Sequence, residues 1–238
     1  MVFETSPSLD SNDRTTNISI KNKFDRVRLL PINDKLEKWR NVAFYIVGVG
    51  GIGFHVAKSI AQTIYEASIT LIDREYVEEE NLNRFDIDPF YVGLPKVDAT
   101  AQVIASLNPF IRVHTINADF REAKTSITPN EKRSIIIDEV DSVATSKLIY
   151  EYARQMRIPY ISMKYNGFDK GTLYVNEIGF DTGIDNPYEI SPSAYFSASI
   201  FANILVYFMF SHDITEIRSM RLIKNINLDD IIGDRHGV

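Results

Sequence analysis

The amino-acid sequence predicts an α/β fold whose sheet is doubly wound and mostly parallel, with a mixed C-terminal extension. Short apolar runs, typical of strands buried on both faces, alternate with helical patterns over the first two thirds of the chain. The first run continues into a glycine-rich loop, which joins a strand to a helix in doubly wound sheets. The chain has 238 residues and 45% apolar side chains, enough for a large core. We therefore expect a Rossmann-like sheet.

The N-terminal part of the chain is predicted to hold an arm and short helices before the sheet begins. Residues 1–22 are polar and rich in Ser, Thr, Asn and Asp, so we expect a mobile arm. Residues 23–40 mix apolar and charged positions, which predicts one or two helices ending near Trp39. The next predicted elements are strand 42–47, the glycine loop with its helix, strand 68–72, helix 96–107, strand 111–116, strand 135–138, helix 143–156 and strand 160–163.

The last third of the chain has a different pattern and forms the predicted mixed extension. A turn at Asp169-Lys170-Gly171 precedes a strand at 172–178, an apolar helix covers 193–210, and a final strand covers 218–225. No Pro- or Gly-rich linker separates this part from the rest. We therefore expect a single domain over residues 23–238.

Composition excludes several classes of function. The net charge of −6 disfavours nucleic-acid binding that depends on an overall basic surface. The absence of cysteine removes disulfides, Cys-ligated zinc and any thioester or persulfide on this chain. The longest mostly apolar run, 196–210, is shorter than the roughly 20 residues that span a membrane. No apolar signal segment opens the sequence, so a cytoplasmic protein is expected.

The glycine loop Gly48-Val49-Gly50-Gly51-Ile52-Gly53 predicts a phosphate cradle. In a G-x-G-x-x-G loop the first glycine makes the turn, the second admits a phosphate, and the third lets helix and strand pack closely. Asp73 follows the next strand, where its carboxylate can accept hydrogen bonds from ribose hydroxyls. These features favour nucleotide binding, but they would serve NAD as well as ATP.

Three further residues favour ATP over NAD. Arg84 and Lys96 are cations in short segments at the nucleotide side of the predicted sheet, and a triphosphate needs placed cations. Lys96 begins a helix, where a cation is unfavourable unless an anion lies nearby. Asp141 follows strand 135–138 and could hold Mg²⁺ between phosphates. The alternatives are a solvated surface pair for the two cations and a helix N-cap for Asp141.

Several motifs occur in a fixed order: Phe24-Asp25-Arg26, Gly48-Val49-Gly50-Gly51-Ile52-Gly53, Leu71-Ile72-Asp73, Asn81-Leu82-Asn83-Arg84, Gly93-x-Pro95-Lys96, Asn108-Pro109 and Asp138-x-x-Asp141-Ser142-Val143-Ala144-Thr145. Together they resemble the ThiF/MoeB/HesA superfamily, relatives of ubiquitin-activating enzymes, over about residues 24–225. The resemblance implies that the chain adenylates a carboxylate with Mg-ATP and releases pyrophosphate. The implied substrate is the free C-terminal carboxylate of a small carrier protein or peptide.

The resemblance also implies a role for each site residue. Asp73 would hold the ribose, while Arg84 and Lys96 would hold the phosphates. Asn81 would support the loop that carries Arg84, and Asp141 would bind Mg²⁺. Family members are typically dimeric, and an arginine from the partner enters the ATP site. Arg26 matches that position, so a homodimer with Arg26 acting in trans is expected.

The chain departs from the family pattern on the substrate side. The paired C-x-x-C motifs are absent, so no zinc is expected, and the acyl group must pass to a nucleophile on another molecule. The segment 163–170 is expected to face the substrate, with Lys164 either favouring an anionic group or serving as a loop charge. Alternative functions are a tRNA-modifying dehydratase, a non-catalytic scaffold or half of a heterodimer, and an NAD-dependent oxidoreductase.

Overall fold

The computed structural model describes residue 24 and residues 27–179 and 193–232. The predicted mobile arm and Arg26 lie outside these residues. Short 3-10 helices cover Val27–Leu29, Glu79–Asn83 and Pro89–Tyr91. The α-helices are α1 (Asn33–Glu37), α2 (Gly51–Thr63), α3 (Lys96–Leu107), α4 (Phe120–Ala123), α5 (Val143–Met156), α6 (Ser193–Phe210), α7 (Ile214–Ser219) and α8 (Leu228–Ile232). The strands are β1 (Ala43–Val47), β2 (Ala67–Ile72), β3 (Ile111–Ile116), β4 (Ser134–Asp138), β5 (Tyr160–Tyr165), β6 (Lys170–Val175) and β7 (Leu222–Asn227).

The described strands form one seven-stranded sheet in the order β3-β2-β1-β4-β5-β6-β7. Strands β1 to β5 pair in parallel, whereas β6 and β7 join in antiparallel fashion. The chain runs outward from β1 to β3 and then returns to the other side of β1 at β4. This confirms the predicted doubly wound fold with a mixed C-terminal extension.

Helices cover both faces of the sheet, and β1 shows why its sequence is apolar throughout. Phe44 and Ile46 belong to a core shared with α2, α3 and α6, while Tyr45 and Val47 belong to a second core shared with α4 and α5. Successive side chains of a strand point to opposite faces, so a strand covered on both faces needs apolar residues at every position. The packing of α6 on α2 closes the first core.

The structure corrects the predicted elements near the C-terminus. Strand β5 continues to Tyr165, so Lys164 lies in a strand and is not a loop charge. Strand β6 begins at Lys170 and ends at Val175, before Asn176, which has a positive φ of 48°. The final strand is β7 at Leu222–Asn227, and the start predicted for it falls in α7.

Helix α7 was missed because its signal is a capping pattern, not an apolar period. The Asp213 side chain accepts from the backbone N–H groups of Thr215 and Glu216, and the Glu216 carboxylate accepts from the Asp213 N–H. This reciprocal box satisfies donors that a helix start leaves open. Asp213 and Glu216, three residues apart in the sequence, are the signal that could have located the helix.

Among the described residues, no helix is both long and apolar enough to cross a lipid bilayer.

Candidate nucleotide site

A crevice of about 710 Å³ lies at the carboxyl ends of β1 and β4. The chain leaves β1 for one side of the sheet and returns at β4 on the other, and this switch point is where doubly wound folds bind ligands. The volume falls in the usual range for small-molecule sites, roughly 300–1,000 Å³. Of the residues predicted from sequence, the crevice is lined by Gly48, Gly50, Gly51, Asp73, Asn81, Arg84, Lys96 and Asp141. Gly53 is not among the lining residues and packs against the Gly48 carbonyl.

Two glycines of the loop are required by the backbone itself. Gly48 has a φ of +86°, and a Cβ there would lie 2.7 Å from the Glu139 carbonyl carbon. A Cβ on Gly53 would lie 2.0 Å from the Gly48 carbonyl oxygen. The turn after β1 and its close packing under α2 therefore exclude larger side chains at both positions.

The other two glycines face the crevice at the start of α2. Gly50 is the N-cap of α2, and a Cβ built on it would meet nothing within 4 Å. Gly51 lies close to Ala198, Arg84 and Tyr165, which a Cβ would approach at 3.2–3.4 Å. Because Gly50 leaves open space beside unpaired helix N–H groups, an anion could approach the backbone there.

The two kinds of glycine predict different outcomes for alanine substitution. Gly53→Ala should lower the free energy of unfolding by about 1–3 kcal/mol, since the loop backbone must move. Gly50→Ala should change stability by less than about 1 kcal/mol, yet weaken nucleotide binding by roughly tenfold, or about 1.4 kcal/mol. Denaturant titration and calorimetric ATP binding on both variants test this pair. Equal effects of the two substitutions on both measurements would contradict it.

Asp73, at the end of β2, ties the glycine loop to the neighbouring strand. Its Oδ2 accepts from the Val49 N–H at 2.7 Å, and its Oδ1 accepts from the Glu75 N–H at 2.8 Å. Burial raises the pKa of Asp73, and these two backbone bonds oppose the rise. Each carboxylate oxygen keeps a second lone pair, so Asp73 can brace the loop and still accept from a hydroxyl in the crevice.

Lys96 is a buried cation at the wall of the crevice. Its side chain is only 7% exposed, and its Nζ donates to Glu75 Oε2 at 2.6 Å. The ammonium also lies 5.9 Å from the centre of the Phe85 ring. The bond from Lys96 holds the pKa of Glu75 below its usual value. The alternative of a solvated surface cation is therefore wrong for Lys96, and the anion beside this helix start is Glu75.

Arg84 lines the same crevice as Lys96 and follows the 3-10 helix Glu79–Asn83. Its Nη1 donates to the Glu80 carbonyl at 3.1 Å and to Asn83 Oδ1 at 3.0 Å. Asn81 is buried beneath it, where its Oδ1 accepts from the Glu78 N–H and caps the short helix. His55 of α2 lies 3.1 Å from the Arg84 carbonyl oxygen, and burial lowers the pKa of this histidine. The loop that carries Arg84 is thus fixed from both sides.

Asp141 is exposed at the rim of the crevice, in the loop after β4. The N-cap of α5 is Ser142, whose hydroxyl accepts from the Thr145 N–H at 3.3 Å. The alternative of Asp141 as the N-cap is therefore wrong, and Asp141 is one of the residues that line the crevice. A single carboxylate fits Mg²⁺, which keeps several waters and is usually bound by one or two carboxylates plus substrate phosphates.

No group of three or more His, Cys, Asp or Glu side chains that could hold a metal occurs within the described part of the chain.

A buried polar cluster beneath Asp141 was not predicted from sequence as a unit. Asp138 is fully buried at the end of β4, and it accepts from the Tyr160 hydroxyl at 2.7 Å and from Lys164 Nζ at 3.2 Å. Glu139 accepts from the Met163 N–H, and burial raises its pKa well above the usual range. Burial likewise raises the pKa of Tyr160, which keeps its hydroxyl protonated and donating. The only local signals in the sequence were Asp138 and Lys164, which are separated by a whole helix.

A protein-family model matches more than half of the chain. The ThiF family matches residues 24–189, which include the glycine loop, both cations and the β4 loop. This chain belongs to the ThiF family.

Two curated relatives of this ThiF-family chain align over about half of its length. It is 33% identical over 136 residues to the tRNA threonylcarbamoyladenosine dehydratase of Escherichia coli, covering 53% of this chain and 47% of that protein. It is 30% identical over 131 residues to the molybdopterin-synthase adenylyltransferase of Haemophilus influenzae, covering 54% and 53%. The alignments thus span about half the length of these relatives.

Solved structures share the fold of this ThiF-family chain. Escherichia coli MccB, crystallised with AMPCPP and MccA, superposes with a TM-score of 0.64 at 19% identity, covering 87% of this chain and 71% of that one. At this identity the likeness concerns the fold alone.

Proposed function

We propose that this ThiF-family chain adenylates a carboxylate, using ATP and Mg²⁺ and releasing pyrophosphate. The observation that carries the proposal is the convergence of Arg84, Lys96 and Asp141 on one crevice at the N-terminus of α2. A dinucleotide site needs backbone N–H groups for one pyrophosphate, whereas a triphosphate needs additional cations and a carboxylate for its metal. Lys96 is paired with Glu75 and lines the crevice, so the proposal makes the phosphates a second anionic partner for its ammonium.

The reaction needs alignment and charge neutralisation more than proton transfer. A carboxylate is already ionised at pH 7, so its oxygen attacks the α-phosphorus without a general base. The new bond joins that oxygen to phosphorus, and the bond from the α-phosphorus to the β-phosphate bridging oxygen breaks. The leaving pyrophosphate keeps the electron pair. Arg84 and Lys96 stabilise the charge that develops on the phosphates. Asp141 would hold Mg²⁺, which would supply further charge neutralisation.

The rest of the site orients the nucleotide. Asp73 is proposed to accept from the ribose, since its carboxylate faces the crevice with free lone pairs. Gly50 is proposed to admit the phosphates to the first N–H groups of α2. Asn81 is proposed to keep the Arg84 loop in place through its cap on the 3-10 helix.

The proposed substrate is the C-terminal carboxylate of a small carrier protein or peptide. Support comes from the Haemophilus influenzae relative, which is a molybdopterin-synthase adenylyltransferase, and from MccB, which was crystallised with MccA and AMPCPP. The chain has no cysteine, so the acyl group is proposed to pass to a thiol, amine or other nucleophile of another molecule. We further propose that residues 23–238 form a single domain and that the protein is cytoplasmic. We also propose a homodimer in which Arg26 acts in trans.

The second candidate is action on a tRNA base, which is favoured by the similarity to the tRNA threonylcarbamoyladenosine dehydratase of Escherichia coli. The net charge of −6 weighs against it, because RNA binding rests largely on phosphate contacts to a basic surface.

The test is ATP–pyrophosphate exchange by the full chain with three substrate pools. The pools are small proteins that end in Gly-Gly, a mixture of peptides extracted from cells that express the protein, and total tRNA. Exchange that depends on the first or second pool supports the proposal, whereas exchange that depends on tRNA alone supports the dehydratase candidate. No exchange with any pool, together with no ATP binding, would leave the non-catalytic scaffold.

A further inference from the structure

Lys164 connects β5 to the loop that carries Asp141. Its Nζ donates to the Val140 carbonyl at 2.6 Å, and it lies 3.2 Å from both the carbonyl and the Oδ1 of Asp138. The side chain is 17% exposed and lines the same crevice as Asp141. An ammonium has three N–H donors, and these three acceptors can take all of them. Lys164 is therefore built into the protein at the edge of the site.

The short loop between β4 and α5 is held by hydrogen bonds of its backbone groups. The Glu139 N–H donates to the Val47 carbonyl, and the Val140 N–H donates to Asp138 Oδ1 at 3.1 Å. The bond from Lys164 fixes the next group in the chain, the Val140 carbonyl, whose carbon is bonded to the Asp141 nitrogen. That peptide leads directly to the Asp141 backbone, so holding it restricts the positions from which the Asp141 side chain can reach the crevice.

The charge of Lys164 is also matched to its surroundings. Asp138 has no exposed surface, and a buried carboxylate requires a partner. Lys164 supplies the positive partner from β5, and the Tyr160 hydroxyl supplies a neutral one from the same strand. The ammonium thus contacts one carboxylate, that of Asp138, and two backbone carbonyls, those of Asp138 and Val140, and substitution of Asp138 can separate the first contact from the others.

We propose that Lys164 is a positioning residue for the metal site. Its ammonium holds the Val140 peptide so that the Asp141 carboxylate faces the nucleotide phosphates. The inference rests on the proposed function, because it assigns Lys164 to the Mg²⁺-dependent part of nucleotide binding. Residues that orient metal ligands without touching the ion typically change metal affinity by 10–100-fold when they are removed.

The experiment measures ATP binding by calorimetry over a Mg²⁺ series, for the wild-type chain and Lys164→Met. The Mg²⁺ concentration that produces half of the maximal gain in ATP affinity should rise roughly 10–100-fold in the variant. The ATP affinity measured without metal should stay nearly constant. Hydrogen exchange of the amides at 139–142 should become faster, which reports on the loop without any ligand. The matched control is Tyr160→Phe, which removes the other side-chain bond to Asp138 and should leave both readouts unchanged.

A second pair of variants keeps the test decisive if Lys164→Met does not fold, since that change leaves the Asp138 charge buried and unpaired. Asp138→Asn with Lys164→Met removes both charges, and Asp138→Asn alone keeps the donor to Val140. Of these two variants, we expect a shifted Mg²⁺ dependence only in the double variant, because Asp138→Asn alone keeps the bond from Lys164 to the Val140 carbonyl. Equal Mg²⁺ dependence and equal loop exchange in wild type and the Lys164 variants would overturn it. Wild type that binds ATP without any Mg²⁺ dependence would instead overturn the proposed function.

Discussion

Lys96→Met is expected to slow adenylate formation by roughly 10²–10³, the usual cost of losing one placed electrostatic stabiliser. The ammonium is almost completely buried, so water cannot replace its charge beside the phosphates. Methionine keeps most of the length and the apolar stem of the side chain, and its thioether can rest against Phe85. ATP–pyrophosphate exchange under saturating substrate measures the rate.

The charge-matched control for this change is Lys58→Met. Lys58 pairs with Asp86 on the outer surface of α2 and does not line the crevice. It carries the same charge and should leave the exchange rate within about twofold, because long-range effects of surface charges are screened by salt. A Lys96→Met variant as active as Lys58→Met would contradict the assignment of Lys96 to the phosphates.

Asp141→Asn is expected to lower the exchange rate by roughly 10²-fold or more at low Mg²⁺ and to recover partly at high Mg²⁺. The amide keeps the size of the side chain but loses the negative charge that a hard divalent ion requires. Folding stability should hardly change, because the carboxylate is exposed and does not cap α5. Exchange rates over a Mg²⁺ series and a thermal melt of the same sample measure both effects.

Ser142→Ala is the matched control for the neighbouring helix cap. It removes the hydroxyl that caps α5 and should cost about 1 kcal/mol of stability, with the Mg²⁺ dependence unchanged. The two variants therefore separate a metal role from a capping role in adjacent residues. An Asp141→Asn protein that is less stable but keeps the wild-type Mg²⁺ dependence would contradict the metal assignment.

The sheet was predictable because its central strands are covered on both faces. Apolar, β-branched runs such as Phe44–Val47 and Ile135–Ile137 leave few alternatives to buried parallel strands. Helices α3 and α5 were predicted with the bounds seen in the structure, since their starts and ends carry local signals such as Asn108-Pro109. The site position followed from the order of these elements.

Side-chain pairing was beyond what sequence could provide. Glu75 and Lys96 are 21 positions apart, and nothing local shows that they form an ion pair. Asp138 and Lys164 meet only because β4 and β5 are neighbours in the sheet. The Asp141 carboxylate could be distinguished from a cap only once Ser142 was seen to fill that place.

The crevice is proposed to bind a nucleoside triphosphate with its metal and not a dinucleotide. Thermal melting of the full chain with Mg-ATP, with ATP and chelator, and with NAD⁺ tests it without knowledge of the carboxylate. Mg-ATP at 100 times its Kd should stabilise the fold by about 2.7 kcal/mol, or about 5–10 °C for a chain of this size. We expect a smaller shift with chelator and none with NAD⁺. A shift with NAD⁺ and none with Mg-ATP would contradict the assignment of the crevice to a nucleoside triphosphate.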